Sequence, residues 1–386
     1  MSAEIGWEAD EPDPARVGLD FPRTLPEAIH AATRWWNLVD RRHFLTLTGL
    51  AVTGWDTPLR RWLTTPLDPT AAHPGDSPHP RRVGAADITE LLTAAEDARR
   101  WDSRYGGGNW RSSALVVCLR DRVAPLLHGR YTDAVGRRLF TAAAHLSRLA
   151  GWTAFDRGHH AAAQRHYVQA LRLARAAGDV AFGGYTLACA ALQATLRGWH
   201  DHAIDMCQGA YERAKHQAPA RVLAFTALIE ARAHARAGDR RAAAHALSTS
   251  ERLLGQAERQ QGVEPDWIDF YSPARMAADA VEIHRDLHLP AAARRWNEQA
   301  AMPTDQFARS YGLRLTVLAT THLQGPSPDV DLALEYGRHA LDVLSTISSA
   351  RANDYTHDLA RRLVPWKDHG PARDLIHRIR TDVPFT

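Results

Sequence analysis

GHHAAAQRHYVQA at residues 158–170, GWHDHAIDMCQGA at 198–210 and GDRRAAAHALSTS at 238–250 share one spacing. Gly158, Gly198 and Gly238 lie 40 residues apart. Ala163, Ala203 and Ala243 follow five residues later, and Ala170, Ala210 and Ser250 seven residues after those. Seven residues is two helical turns, so each small pair lies on one helix face and lets a neighbouring helix approach closely. The glycine falls where the first helix of a pair must turn into the second. Weaker echoes follow: His288 with Ala293 and Ala300, and Pro328 with Ala333 and Ala340. A repeat of this kind cannot bury its face alone, and stacking completes the core. The expectation is an all-α chain built as a solenoid of helical hairpins, against a generic helical bundle with accidental periodicity.

Outward from these repeats, the chain after residue 85 alternates Ala-, Leu- and Arg-rich stretches with short breaks, at helical spacing, and β-branched alternation is scarce. Residues 86–386 therefore read as the helical repeat domain. Upstream, TTPLDPTAAHPGDSPHPRR at 64–82 is dense in Pro, Gly, Ser and Thr, so residues 64–85 read as a linker or surface loop. Before it, residues 1–63 form a helical lead-in. Its first 25 residues are acidic, Pro-bearing and loosely packed, and apolar residues including Trp35, Trp36, Trp55 and Trp62 cluster after them.

Composition narrows the class. Apolar residues make up 45% of 386 residues, charged residues 24%, and the formal charge is +3, the balance of a globular chain. No run of 18 or so apolar residues offers a membrane span, and the near-neutral charge gives no case for a nucleic-acid coat or membrane-surface domain. Only Lys215 and Lys367 are lysines among 47 basic residues. Arginine suits phosphates and carboxylates, but an even spread among acids favours codon bias as the reason. Cys118, Cys189 and Cys207 are odd in number and far apart, which supports neither a disulfide framework nor a zinc knuckle and points to a reducing cytoplasm.

Four motifs invite sharper readings. RRHFLTLTGLAV at 41–52 resembles a twin-arginine export core, yet about 40 residues precede it and Trp55-Asp56 follows soon after, so a buried helix is expected. HRDLH at 284–288 places two histidines four apart, but Arg285 stands where a zincin needs Glu, and Ala291 stands where a kinase catalytic loop needs Asn. A solvated helix end is expected there. His159-His160 and His200-His202 sit beside the repeat glycines without a complete ligand list, so neither metal nor cofactor is implied. RYGGGNWRSS at 104–113 is a candidate anion-binding turn, with Arg104, Gly106, Gly107, Gly108 and Arg111, against a tight turn where backbones pack closely. No motif assembles a nucleophile, base and orienter, so no enzyme is expected.

The first repeat resembles a tetratricopeptide repeat: Gly151, Gly158, Ala163, Tyr167 and Ala170 fall on its small, turn and aromatic positions, with a period longer than 34. More broadly, GLDFPRTLPEAI, WDSRYGGGNWR, residues 126–179, GGYTLACAALQATLRG, EARAHARAGD and DWIDFYSPA resemble bacterial regulators that pair an Xre/Cro-type helix-turn-helix with a tetratricopeptide-like region. This resemblance implies a right-handed α-solenoid and a transcription-associated role. In such regulators the helix-turn-helix precedes the equivalent of Ile5-Gly6-Trp7. This chain starts at Met1, so either the reading frame is longer or the chain is a free-standing effector module; in both cases it is not expected to read DNA itself. By tetratricopeptide register the groove is Arg148, Trp152, Asp156, Tyr185, Leu192, Phe225 and Arg232. Trp152 and Tyr185 would be apolar anchors, and Arg232 and Asp156 would hold charged ends, although all seven are equally suited to inter-repeat core. The implied partner is a protein, a peptide or a small-molecule signal, with a homodimer allowed. The alternative is a constitutive protein–protein scaffold on the same groove.

Overall fold

The structure, a computed structural model, describes residues 16–38, 51–108, 110–260, 264–301 and 307–384, with the backbone alone at 110–113. Arg41–Arg42 and Ile5–Trp7 lie outside the described residues. Those described are helical, with two isolated bridges, His73 to Tyr131 and Arg82 to Arg130, in place of any strand. The helices are α1 (Leu25–Leu38), α2 (Asp56–Thr64), α3 (Ala85–Tyr105), α4 (Trp110–Cys118), α5 (Ala124–Leu127), α6 (Asp133–Asp156), α7 (His160–Ala177), α8 (Val180–Leu196) and α9 (His200–Ala214). They continue with α10 (Ala220–Ala237), α11 (Arg240–Gln260), α12 (Pro273–Asp286), α13 (Pro290–Asn297), α14 (Ala308–His322), α15 (Val330–Leu344), α16 (Ala350–Leu363) and α17 (Gly370–Asp382). No described helix is long and apolar enough to cross a membrane.

From α6 onward, consecutive helices pack as pairs, α6 with α7, α8 with α9 and so on to α16 with α17. The quoted glycines make the turns within the first three pairs. Gly158, Gly198 and Gly238 have φ of +81°, +82° and +82°. In each turn the following N–H reaches back to the last helical turn, His159 to Ala154, Trp199 to Ala194 and Asp239 to His234. That six-residue closure satisfies carbonyls a helix end would otherwise leave orphaned. The fourth turn, in α12–α13, has the same bond from Leu289 to His284 around His288, whose φ is +56°. HRDLH is thus a helix end and its turn, and Arg285 within it is buried and paired with Asp286.

The small residues at the repeat spacing are all buried: Ala163, Ala170, Ala203, Ala210, Ala243, Ser250, Ala293, Ala300, Ala333 and Ala340 are at most 1% exposed. The helix starts carry side-chain caps where the sequence offers Thr, Asp or Ser: Thr132, Asp179, Ser272, Asp329 and Ser349 each accept a backbone N–H three residues on.

The N-terminal segment and the Pro-rich stretch wrap α7. From its outer face Arg165 donates to the carbonyl of Val17, Gln169 to those of Gly18 and Asp20, and Arg172 to those of Pro22 and Thr24. Arg172 also meets Asp68 at 2.6 Å, and Arg175 donates to the Pro66 carbonyl. Trp35, Trp36, Trp55 and Trp62 are at most 2% exposed within the same core as α6–α11. Gly183 admits Trp62, since a Cβ there would lie 2.0 Å from the indole. The described parts of residues 16–85 therefore cover α7, which is buried on every side from Ala162 on.

Gly238 has nothing within 4 Å of where a Cβ would stand, so Gly238→Ala isolates the backbone cost of positive φ. It should destabilise by about 1 kcal/mol in urea denaturation, while His288→Gly should be neutral or stabilising. Equal stability of both variants and the parent would refute this account of the turns.

Candidate functional site

The first helices of the pairs, α6, α8, α10, α12, α14 and α16, converge with α3 on one pocket. Its cavity volume is about 60 Å³. Arg148 and Trp152 enter from α6, Tyr185, Cys189 and Leu192 from α8, and Phe225, Ile229 and Arg232 from α10. Arg275 and Asp279 come from α12, Arg309 and Ser310 from α14, Arg351 from α16, and Arg99, Asp102 and Ser103 from α3. Six of the seven expected groove residues line this pocket. Phe225, Leu192 and Tyr185 are also core, at 4%, 2% and 4% exposure.

Asp156, the seventh, lies behind the pocket wall with no exposed surface. It takes Arg309 at 2.8 Å, Arg351 at 3.3 Å, the Ser349 hydroxyl at 2.9 Å and the Gly107 N–H at 3.0 Å. Arg309 bridges onward to Asp102 at 2.9 Å, and the Trp152 indole N–H donates to the same carboxylate at 3.0 Å. Trp152 lies beneath both guanidiniums, 5.8 Å from Arg309 and 5.1 Å from Arg351. This knot ties α3 and α6 to α14 and α16, so the late pairs fold back on the early ones. The first helices then surround a pocket instead of lining an open groove.

The glycine-rich turn belongs to the same knot. Gly106 has φ of +80°, the Gly107 N–H donates to Asp156, and the Gly108 N–H donates to the Ser348 carbonyl at 2.9 Å. A Cβ on Gly107 would stand 2.9 Å from the Thr153 carbonyl. The anion held by this turn is the protein's own carboxylate, and the turn packs tightly against α6 and the start of α16. Arg104 is exposed over the Tyr105 ring, and the side chain of Arg111 lies outside the described residues.

A second charged cluster flanks the first. Arg232 binds Asp279 at 2.8 Å and Glu282 at 2.6 Å, Arg275 binds Asp279 at 2.7 Å, and Arg236 binds Glu282 at 3.0 Å. Burial pushes the Glu282 carboxyl up, but Arg232, Arg236 and Arg285 outweigh it and hold that acid well below its ordinary range. Asp156 follows the same logic: burial raises it, and Arg309 with Arg351 brings it below the usual carboxylate value.

Aromatic rings form the opposite wall. Tyr185 and Phe225 are 5.5 Å apart, Phe225 and Phe270 5.7 Å, and Arg148 sits 5.2 Å over Tyr185. Burial pushes the Cys189 thiol up to about 11, so it is protonated at neutral pH. Among the described residues no group of three or more His, Cys, Asp and Glu is placed to hold a metal ion. The pocket presents guanidinium and aromatic surface.

The groove register singled out residues of α6, α8 and α10, whereas the contributions of α3, α12, α14 and α16 carry no local motif. Their signal is the arginine content itself. Neither protein-family models nor curated proteins provide a match to this chain.

Because Asp156 is depressed in the fold, its stabilisation is full above the unfolded carboxylate value near pH 4 and is lost as pH falls through the lower folded value. Stability should therefore drop steeply on acidification below about pH 4. Asp156→Asn should cost about 3 kcal/mol near neutral pH by stranding buried guanidinium charge, and it should flatten that acid limb. Urea titrations across pH check both, and an unchanged acid limb in the variant would contradict them.

Proposed function

We propose that this chain is a regulatory module whose helical pairs form a right-handed, tetratricopeptide-like α-solenoid and bind a signal in the pocket between their first helices. Its resemblance to Xre/Cro-type regulators with tetratricopeptide-like regions supports a transcription-associated role, exerted through a protein partner or a second copy rather than by reading DNA.

The observation that carries this reading is that seven helices, α3, α6, α8, α10, α12, α14 and α16, each place side chains in one cavity. A ligand there meets side chains from several helical pairs at once. Such contacts favour one arrangement of the pairs over another, which is the thermodynamic requirement for a switch. Binding rather than turnover fits a pocket whose cysteine stays protonated and whose carboxylates are engaged by arginine.

A metabolite fraction applied to the purified chain should contain a component that raises its melting temperature and is retained in native mass spectra. At a hundredfold excess over Kd, a single site adds about 2.7 kcal/mol, or about 3 °C for a chain of this length. Ser103→Trp, which places a large ring at a half-buried lining position, should abolish the shift while leaving the ligand-free melting temperature within about 2 °C. If protein partners bind in full and no small molecule shifts the melting temperature, the chain is a constitutive scaffold instead.

A further inference from the structure

Six arginines line the pocket, and five are matched by acids: Arg99 by Glu96 and Asp269, Arg232 by Asp279 and Glu282, Arg275 by Asp279, and Arg309 and Arg351 by Asp156, with Asp102 also on Arg309. Arg148 makes no direct contact with an acid among the described residues. It is 5% exposed, its Nε lacks a hydrogen-bond partner, and its one close contact of note is the Tyr185 ring 5.2 Å away. A cation–π contact returns only part of the cost of burying a guanidinium.

Its neighbours do not neutralise it. Burial raises the Tyr185 phenol and the Cys189 thiol, so both are uncharged at neutral pH. His145 is pushed down to about 3 by burial and by Arg148 itself, so it is neutral too. Asp102 attracts Arg148 coulombically but makes no hydrogen bond or ion-pair contact with it, being held by Arg309 and the Trp152 indole.

We propose that Arg148 is the anchor for a small organic monocarboxylate, bound with its carboxylate on the guanidinium fork and its short tail against Tyr185, Leu192 and Phe225. Among the described residues Arg148 is the one lining arginine without a direct acid contact, so a single carboxylate would give it what its neighbours already have, whereas a dianion such as phosphate would bring excess charge beside Asp279 and Asp102. The planar fork selects a carboxylate geometrically. The cavity of about 60 Å³ has room for about four to six water-sized groups. That suits a free short-chain acid better than the body of a peptide. This ligand class rests on the pocket being the signal site.

Calorimetric titration with butyrate, butyramide, inorganic phosphate, chloride and N-acetyl-trialanine tests the assignment on the intact chain. Butyrate should bind at millimolar concentration or tighter, about tenfold or more above butyramide, and above each of the other three probes. Arg148→Gln should remove that preference, and Arg148→Lys should keep part of it. Arg148→Gln should also melt at or above the parent temperature without ligand, because it deletes an unpaired buried charge; the parent's butyrate-to-butyramide ratio stands as the test if the variant misfolds. Equal binding of butyrate and butyramide, unchanged butyrate affinity in a folded Arg148→Gln, or tighter binding of phosphate, chloride or the peptide would each overturn the proposal. If a neutral metabolite shifts melting through the pocket while butyrate does not bind, the carboxylate class falls and the signal-site reading survives. If nothing of any charge binds, both fall.

Discussion

The architecture depends on one buried carboxylate. Asp156 ends α6, is fully removed from solvent and receives two guanidiniums, a hydroxyl and a backbone N–H. Its partners come from the glycine-rich turn after α3, from α14, and from the start of α16. Sequence separations of 153 and 193 residues, for Arg309 and Ser349, are closed at this single side chain. Stacked repeats hold mainly neighbour-to-neighbour contacts; Asp156, with the Arg309–Asp102 pair and the Gly108–Ser348 bond beside it, adds links from early helices to late ones. With these links, the first helices of early and late pairs face one another and leave a pocket between them.

Burying so many charges requires that each be hydrogen-bonded, and arginine meets that requirement better than lysine. Its planar fork donates to several acceptors at once and stacks on rings. Arg172 serves two backbone carbonyls and Asp68 while wholly buried, and Arg309 joins Asp102 to Asp156 above Trp152. The same chemistry fastens the N-terminal segment to α7 and the late pairs to α6. The near absence of lysine therefore has a structural consequence here beyond codon usage, and Arg148 is conspicuous because it lacks the direct acid contact that its neighbours have.

Helix content and hairpin turns were readable in the chain because they rest on local rules. Positive φ calls for glycine at fixed intervals, and close helix contact calls for Ala163, Ala203 and Ala243 and their partners seven residues on. The groove register extended that logic to Arg148, Trp152, Tyr185, Leu192, Phe225 and Arg232, which meet in space. Asp156 shares their register but not their role, since it holds the wall from behind. The pairing of Asp102 with Arg309 spans 207 residues, and no periodicity links two such positions. Composition also says little about residues 64–85. Pro and Gly suggest a loose connection, yet Asp68 and His73 are buried against α7 and the segment before α6. Turn-rich backbone is just as able to pack when arginines supply donors to its carbonyls.

The central claim is that the Asp156–Arg309 pair closes the helical pairs onto one another, and a double-mutant cycle tests it most directly. Stabilities of the parent, Asp156→Ala, Arg309→Ala and the double variant, measured in urea, yield the coupling energy. Each single change should cost several kcal/mol, and the double variant should cost less than their sum by about 2 kcal/mol or more. Additivity within about 0.5 kcal/mol would mean that the two residues act independently, and that the pocket is held closed by something other than this knot.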